Sequence, residues 1–573
     1  MTMRYALMGL IFAVFAVFLL WPIGLVVQVG FWGTEDGGFT LDYLAGVFLD
    51  PLLRNGLINS ALIAVCVTAV CVLISVPLAI LSVKYDFRGK ALMSGLVLVP
   101  LILPPFVGAI GMRQILGRMG ALTGAAQDMG FVPDGSPVDW FGSARFAGIV
   151  LVEALSLYPI LYLNVSAALA NLDPAMEQAA ANLGASRWTI FRRITLPLMR
   201  PGLMAGGTIV LIWSFTELGT PLMFDFYEVT PVQIFQRLTQ VHGSPVPYAL
   251  VVVMLLASIT LYIIGKFVLG RRHDTAVAKA TVQAAARRLA RLRGALALAP
   301  FVLISGLALL PHVGVVLTSF AGVGSWYQSV LPRVFTTAHY SVALTHDVTM
   351  PSVANSVMLA TMSMVIDVGL GLLIAYVIVR SKLPGRGLLD SLAMLPLAVP
   401  GLVLAFGFLA LSVKLQVWFK DSTWAREMFD VWQNPMLLLV IAYAVRRLPY
   451  VVRSAVAGLE QTPVDLELAA RNLGASSGRT LRRITIPLIG ANLIAGGLLA
   501  FAFAMLEVSD SLILAQKQTW WPITRAIYEL FQGLVNGPYV AAALGVWAMI
   551  LLTLTILTAN AFLGRRMGAI FRV

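Results

Sequence analysis

The sequence predicts an all-α polytopic membrane protein, with about 12 transmembrane helices arranged as two parallel six-helix repeats. Three observations predict this fold class. Of the 573 residues, 59% are hydrophobic and only 12% are charged, whereas a soluble globular domain carries roughly 25% charged residues. Apolar runs of about 20 residues recur along the chain, and each is long enough to cross the hydrocarbon core of a bilayer as a helix. One polar, basic segment occurs twice, at 177–197 and 467–487.

The apolar runs define the predicted spans. Alternating strands of about ten residues, the pattern of a transmembrane barrel, do not occur, so helices are favoured. In the first half the runs are roughly 5–29, 54–83, 91–112, 146–169, 202–224 and 248–269. In the second half they are roughly 295–320, 354–379, 389–413, 436–457, 492–515 and 540–563. Prolines at 100, 104, 105, 396 and 400 predict kinks in the third and ninth spans.

The net charge of +13 admits two interpretations. A basic protein can bind nucleic acid, but a membrane protein also concentrates Lys and Arg in its cytoplasmic loops. Here the basic loops follow the even-numbered spans, with Lys84, Arg88 and Lys90 after the second span and a run of arginines after the fourth. This pattern favours topology over nucleic-acid binding. It predicts that both termini and both copies of the repeated segment are cytoplasmic.

The duplication extends over most of the chain. Glu177 matches Glu467 and Gly184 matches Gly474, at a constant separation of 290 residues. We therefore predict a first domain at 1–269, a basic cytoplasmic linker at 270–294 and a second domain at 295–573. Because each half has an even number of spans, the halves are expected to be parallel repeats about an axis along the membrane normal.

The repeated segments carry a recognisable pattern. The first copy reads Glu177-Gln178-Ala179-Ala180 with Gly184, within 171–200, and the second reads Glu467-Leu468-Ala469-Ala470 with Gly474, within 460–490. This pattern resembles the cytoplasmic "EAA" loop of importer permeases in ATP-binding-cassette systems. The resemblance implies that this loop docks on an ATPase subunit. The residues it assigns to ATPase coupling are Glu177, Ala179, Ala180, Gly184, Glu467, Ala469, Ala470 and Gly474. A single copy is equally well explained as a topology loop, but two matched copies are not.

The resemblance also implies partners. A fused double permease is the format of ferric-iron, thiamine and phosphonate importers, so the expected substrate is ferric iron or another small solute. The chain contains no G-x-x-x-x-G-K-[ST] motif, the loop that cradles nucleotide phosphates. We therefore expect no enzymatic activity in this chain, and ATP and Mg to be bound by a partner ATPase homodimer. An extracytoplasmic substrate-binding protein is the other expected partner, and the bacterial inner membrane the expected location.

Several ionisable residues fall inside or near the predicted spans, where charge is costly. They are Glu153, Glu217, Asp367, Arg446, Arg447, Glu507 and Asp510. They are candidates for the translocation pathway or its gate, but an interhelical salt bridge explains them equally simply. If both arginines faced the passage, an anionic solute would be favoured. No clustered His, Glu and Asp pattern predicts a metal, a bound cofactor or a catalytic site in this chain.

Two other classes compete with the importer. An ion-gradient-driven secondary transporter with two parallel repeats would use the buried carboxylates as proton or sodium sites. Two docking loops without an attached ATPase disfavour this alternative, although some secondary carriers share the layout of parallel six-span halves. An intramembrane enzyme would need clustered catalytic groups, which the sequence does not contain.

Overall fold

The computed structural model describes residues 2–33, 38–102, 104–140, 145–269, 286–381, 383–533 and 536–563. These residues are almost entirely helical. The α-helices, in chain order, are α1 Thr2–Phe15, α2 Trp21–Trp32, α3 Asp42–Leu49, α4 Pro51–Lys84, α5 Lys90–Leu96, α6 Pro105–Leu116, α7 Ala121–Asp128, α8 Phe146–Ala170, α9 Pro174–Asn182, α10 Arg187–Ile190, α11 Leu196–Phe215, α12 Gly219–Met223, α13 Thr230–Gln236 and α14 Val246–Leu269.

The second part of the chain continues the same pattern. Its α-helices are α15 Arg291–Phe320, α16 Ala338–Thr345, α17 Thr349–Arg380, α18 Arg386–Ala398, α19 Gly401–Trp418, α20 Thr423–Phe429, α21 Met436–Gln461, α22 Asp465–Asn472, α23 Ser477–Thr480, α24 Ile486–Met505, α25 Ser509–Leu514, α26 Ile523–Gly533 and α27 Gly537–Leu563. Single π-helical turns lie at Ala16–Leu20, Phe191–Thr195 and Leu481–Thr485, and short 3-10 turns lie at Val99–Ile102, Leu238–Gln240 and Gln518–Trp520.

The helices confirm the predicted fold class. Within the described ranges, 10 helices are long and apolar enough to cross a membrane, and one bent helix pair raises the number to 11. The remaining predicted span, 436–457, is the helix α21. It carries Arg446, Arg447 and Arg453, and these charges reduce its hydropathy below that of an ordinary span.

The third and ninth predicted spans are broken rather than continuous. In the first half the helices on either side of Pro104 meet at an angle of 99°. In the second half α18 ends at Ala398, and α19 begins at Gly401 after Pro400. Proline lacks a backbone N–H and clashes with the preceding turn, so it can break a helix as well as kink it. The helix is interrupted next to Pro104 and Pro400, whereas Pro396 lies inside α18.

The boundaries predicted for the fifth and eleventh spans were wrong. These helices begin within the repeated segments, at Arg187 and Ser477, and run to Phe215 and Met505. They were predicted to start near 202 and 492 because the polar segment was assigned to a loop. In the structure, one π-helical turn joins the short helix of each segment directly to the span that follows.

Contacts divide the described residues into two compact units that do not follow the sequence halves. One unit holds the chain up to Arg54, Gln233–Leu255 and the chain from Tyr340 onward, and the other holds Asn55–Val232 and Leu256–His339. The opening helix of each half thus groups with the later helices of the other half. The predicted domain boundaries are a different division, based on the repeat, and they stay a prediction.

Each unit has its own packing. In the first, Ile11 and Phe15 of α1 join a buried apolar cluster with Ile374, Leu448 and Ile489. In the second, α6 and α15 cross closely where Gly111 faces Gly314, since a side chain on either glycine would overlap the backbone of the other helix. In the same unit the end of α4, the helix α9 and the beginning of α15 line one cleft.

The predicted linker lies mostly outside the described residues. At its described end, Arg287–Arg288 forms a strand, β2, which pairs in parallel with β1, Tyr85–Asp86. The helix α15 follows from Arg291.

Candidate functional site

The two repeated segments fold into the same helix–turn–helix, which we call the islands: residues 173–195 and 464–485. In each island a short helix, α9 or α22, ends in a turn and a second short helix follows. The second helix is capped by a serine: Ser186 accepts a hydrogen bond from the N–H of Thr189 at 3.2 Å, and Ser476 accepts one from Arg479 at 3.4 Å. Because the caps occur at matching positions, the duplication in sequence is a duplication in local structure.

The turn in each island explains its glycine. The N–H of Ala185 bonds to the carbonyl of Ala180 at 3.0 Å, and the N–H of Gly184 bonds to Ala181, also at 3.0 Å. This pair of bonds is the Schellman motif, which needs a left-handed residue after the helix. Gly184 has φ +80° and Gly474 has φ +83°. Open space surrounds both glycines, so the backbone conformation selects glycine rather than any lack of room.

This conformation makes a prediction about substitution. We expect Gly184→Val with Gly474→Val to disorder the islands, whereas Gly184→Asn with Gly474→Asn is tolerated, because asparagine adopts the left-handed region more readily than a β-branched residue. Limited proteolysis of the islands measures the effect, with the unchanged protein as reference. Equal protease sensitivity of the valine and asparagine variants would contradict the role of backbone conformation.

The glutamate of each island faces inward. In the first island Lys84 at the end of α4 donates to both carboxylate oxygens of Glu177, at 2.6 and 2.7 Å, and Thr195 donates at 2.5 Å. In the second island Arg380 at the end of α17 bonds to Glu467 at 3.1 Å, and Thr485 donates at 3.2 Å. We call these groups the first and second clamps. Each clamp joins the first helix of the island to the end of α4 or α17 and to the π-helical turn.

The two clamps differ in burial and in bonding. The carboxylate side chain of Glu177 is 26% exposed, but that of Glu467 is only 4% exposed. Arg380 also donates to the carbonyl oxygens of Leu459 and Thr462, at 3.0 and 2.9 Å. A guanidinium offers several donors in a fixed plane, whereas a lysine ammonium is a single flexible charge. The second clamp is therefore the more constrained of the two.

The outward face of each island is apolar, and sequence reasoning did not identify it. Leu183 is 88% exposed and Leu473 is 89% exposed, and Met176 and Leu466, seven residues earlier, are also exposed. Residues seven apart share one face of a helix. Of the predicted coupling residues, Ala179, Ala469 and the two glycines are exposed, whereas Glu467 and Ala470 are buried. The duplicated sequence has apolar residues at the same positions in both islands, and this match was the available signal for the apolar face.

A second group of functional candidates, four charged side chains, lies where the eleventh span ends. Here Glu507 follows the end of α24 and receives bonds from two arginines of α21: Arg446 at 2.5 Å, and Arg447. Asp510 lies 3.5 Å from Arg446. We call these four residues the charge cluster. Two cations face two anions, so the cluster has no formal net charge, and the arginines present no net positive site to an anionic solute.

Neighbouring residues hold the charge cluster in place. The guanidinium group of Arg446 lies directly against Gly401 at the start of α19. Any side chain at position 401 would overlap this guanidinium group. Tyr443 of α21 and Ser511 of α25 share a hydrogen bond of 2.7 Å. The guanidinium of Arg447 also lies 5.6 Å from the ring centre of Phe503. The cluster therefore joins α21 to the break between α24 and α25, as an interhelical salt bridge would.

The other candidates lie apart from this cluster in the chain. Glu217 lies beyond α11, and its carboxylate accepts the N–H of Thr220 at 3.2 Å, as Glu507 accepts that of Asp510 at 3.4 Å. Each glutamate thus caps the short helix after a broken span. Glu153 of α8 is buried and accepts a hydrogen bond from Ser214. Asp367 of α17 is fully buried, and neither of its carboxylate oxygens is hydrogen-bonded to a residue that the structure describes.

Among the described residues, no group of three or more His, Cys, Asp or Glu side chains is arranged to hold a metal ion. The chemistry available is that of buried ion pairs and of two exposed apolar faces. A multi-pass helical membrane protein with two such islands belongs to the class of membrane components of transport systems. The chain belongs to the family described as binding-protein-dependent transport system inner membrane component, whose model matches residues 72–274 and 367–568. It is therefore a multi-pass inner-membrane protein with the family domain present twice.

Curated relatives support the same family. The chain is 27% identical over 448 residues to a putative ferric transport system permease protein of Haemophilus influenzae, covering 74% of this chain and 64% of that protein. It is 27% identical over 443 residues to a ferric transport system permease protein of Actinobacillus pleuropneumoniae, covering 74% of this chain and 59% of that one. A molybdenum transport system permease protein of Escherichia coli is 34% identical over 173 residues, covering 29% of this chain and 71% of that protein.

Proposed function

We propose that this chain is the permease subunit of an ATP-driven importer and that it forms the complete membrane passage. The observation that carries the proposal is the pair of islands, each with an exposed leucine, Leu183 or Leu473, on a helix that is anchored from behind by a clamp. Leu183 with Met176, and Leu473 with Leu466, give each island an exposed apolar patch at equivalent positions, and exposed apolar patches mark interaction sites.

The islands are the proposed contacts with a separate ATPase, present as a homodimer with one copy for each island. In this arrangement Leu183 and Leu473 enter the ATPase surface, and the glutamates transmit the motion inward through the clamps. The ATPase supplies the site for ATP and Mg. Because a docking contact shifts an equilibrium only by its difference in free energy between two states, the islands must fit one state of the ATPase better than the other.

The proposed orientation places both termini, the islands and the linker 270–294 in the cytoplasm, since basic residues concentrate there. The two permease domains are the sequence halves 1–269 and 295–573. An extracytoplasmic binding protein delivers the solute to the opposite face, as the family description implies for such systems.

The proposed substrate is ferric iron, because two relatives that each match 74% of this chain are ferric permeases by name. More broadly, we propose that the substrate is a small solute, which includes anionic solutes. The charge cluster, the buried carboxylates of Glu153 and Asp367 and the half-buried carboxylate of Glu217 are proposed to act as a gate by holding helices together in one state. The neutral charge balance of the cluster supports this interhelical role more than direct contact with an anion.

Docking through the leucines is tested by Leu183→Asp combined with Leu473→Asp. Removing a buried leucine from a contact costs about 1.5–3 kcal/mol, so we expect the amount of ATPase that co-purifies to fall by roughly tenfold or more. The matched control is Phe131→Asp combined with Leu49→Asp, which introduces the same two charges at exposed apolar positions outside the islands.

Two results would count against the proposal. If the double variant retains its ATPase as the unchanged protein does, the islands are not the docking faces. If uptake in proteoliposomes follows an ion gradient and needs no ATP, the alternative of a secondary transporter with two parallel repeats is correct.

A further inference from the structure

A cleft of about 890 Å³ lies behind the first island. Its walls come from the end of α4, from α9, from the π-helical turn and from the segment that leads into α15. All of these elements belong to the same compact unit. The volume is within the range of small-molecule sites.

The cleft is strongly basic. Lys84, Arg187, Arg287 and Arg293 line it, together with one acidic residue, Glu177. Glu177 already pairs with Lys84 in the first clamp. For the three arginines, no carboxylate of a described residue lies within salt-bridge distance. The cleft therefore holds three positive charges that nothing in the described part of the protein balances.

The cleft is separate from the proposed docking face. Glu177 and Ala181 of α9 line it, and they are four residues apart on one side of the helix. Met176 and Leu183 lie on another side, about 100° around the helix axis. A partner that covers the leucines leaves the cleft open.

The position of the cleft indicates its ligand. It lies at the end of one apolar span, α4, and the beginning of another, α15, which is the depth of lipid headgroups. Apolar residues of both spans, Leu81 and Leu296, line it beside the arginines. A site with several arginines and adjacent apolar walls suits a phosphodiester joined to acyl chains.

We propose that this cleft binds the headgroup of an anionic phospholipid, such as phosphatidylglycerol or cardiolipin. Arg187, Arg287 and Arg293 contact the phosphate oxygens, and the acyl chains run along Leu81 and Leu296 into the bilayer. Because the lipid touches the same cleft wall as Glu177, its presence stabilises the position of the first island. The proposal does not depend on the ATPase or on the transported solute.

The test uses the full chain in nanodiscs that contain equal amounts of phosphatidylglycerol and phosphatidylcholine. After transfer to detergent, native mass spectrometry counts the phosphatidylglycerol retained by each chain. The triple variant Arg187→Gln, Arg287→Gln and Arg293→Gln is expected to bind it on the order of 100-fold more weakly, at about fivefold for each arginine. The control variant Arg479→Gln, Arg482→Gln and Arg483→Gln removes the same charge from the second island and is expected to retain the lipid.

Three outcomes overturn the proposal: equal loss of lipid in both variants, retention of lipid by the first variant, or displacement of lipid by millimolar inorganic phosphate. The last outcome assigns the cleft to a soluble anion instead. If the triple variant does not insert into the membrane, the single substitution Arg293→Gln is tested in its place. It is expected to bind phosphatidylglycerol about fivefold more weakly, and the same control variant and the same phosphate addition are used.

Discussion

Replacing Glu507 by alanine is expected to lower the free energy of unfolding by about 3–5 kcal/mol, because removing one partner leaves buried charges uncompensated. The side chain of Glu507 is almost completely buried and pairs with both Arg446 and Arg447. Its loss leaves two guanidinium groups facing one remaining carboxylate, that of Asp510. Unfolding by steric trapping in bicelles measures the change.

A double-mutant cycle separates the ion pair from ordinary packing. Arg447→Met alone and Glu507→Gln alone should each destabilise the protein, and the double variant should lose less than the sum of the two. The matched control is Glu217→Gln, since the positions equivalent to the two arginines are Ser156 and Leu157 in the first half. We expect a smaller loss there. Additive effects in the cycle would contradict coupling within the charge cluster.

Breaking the second clamp with Glu467→Gln is expected to reduce ATP-driven uptake by about 5- to 150-fold, the range of a coupling free energy of 1–3 kcal/mol. The variant should still insert and bind the ATPase, because Leu473 and the outward face are unchanged. The same substitution in the first clamp, Glu177→Gln, should have a weaker effect. That clamp is partly exposed, and exposed ion pairs contribute little.

Exchanging the charges tests whether the ion pair itself matters. Among the described residues the side chain of Lys84 bonds only to Glu177, so Lys84→Glu with Glu177→Lys should restore uptake relative to either single variant. In the second clamp the exchange should restore less, since Arg380 also holds two carbonyl oxygens. Uptake and ATP hydrolysis are measured together in proteoliposomes. A charge exchange that performs no better than its single variants would refute the clamp.

Much of the site could be predicted from the sequence, and particular residues show where prediction ended. Gly184 and Gly474 were predicted to permit a break in the chain, and the Schellman turns explain why glycine occurs at both positions. Their role in ATPase coupling stays a prediction. The two glutamates were assigned to ATPase coupling, which stays a prediction, and the structure adds that their carboxylates face inward to the clamps. Lys84 was taken only as a charge that orients the protein, although the equivalent position in the second half, Arg380, is also basic. That match was the available signal for the clamps.

Composition, hydropathy and internal repetition determined the class of this protein by themselves. These properties are local or periodic, so a membrane-spanning helix and a duplicated loop are visible in any stretch of about 20 residues. Only the tertiary structure decided which helices break and which charges meet. Arg446 and Glu507 are separated by 60 intervening residues, and their pairing depends on how α21 packs against the break after α24. Contacts of that kind follow from the packing of distant segments, which no local pattern encodes.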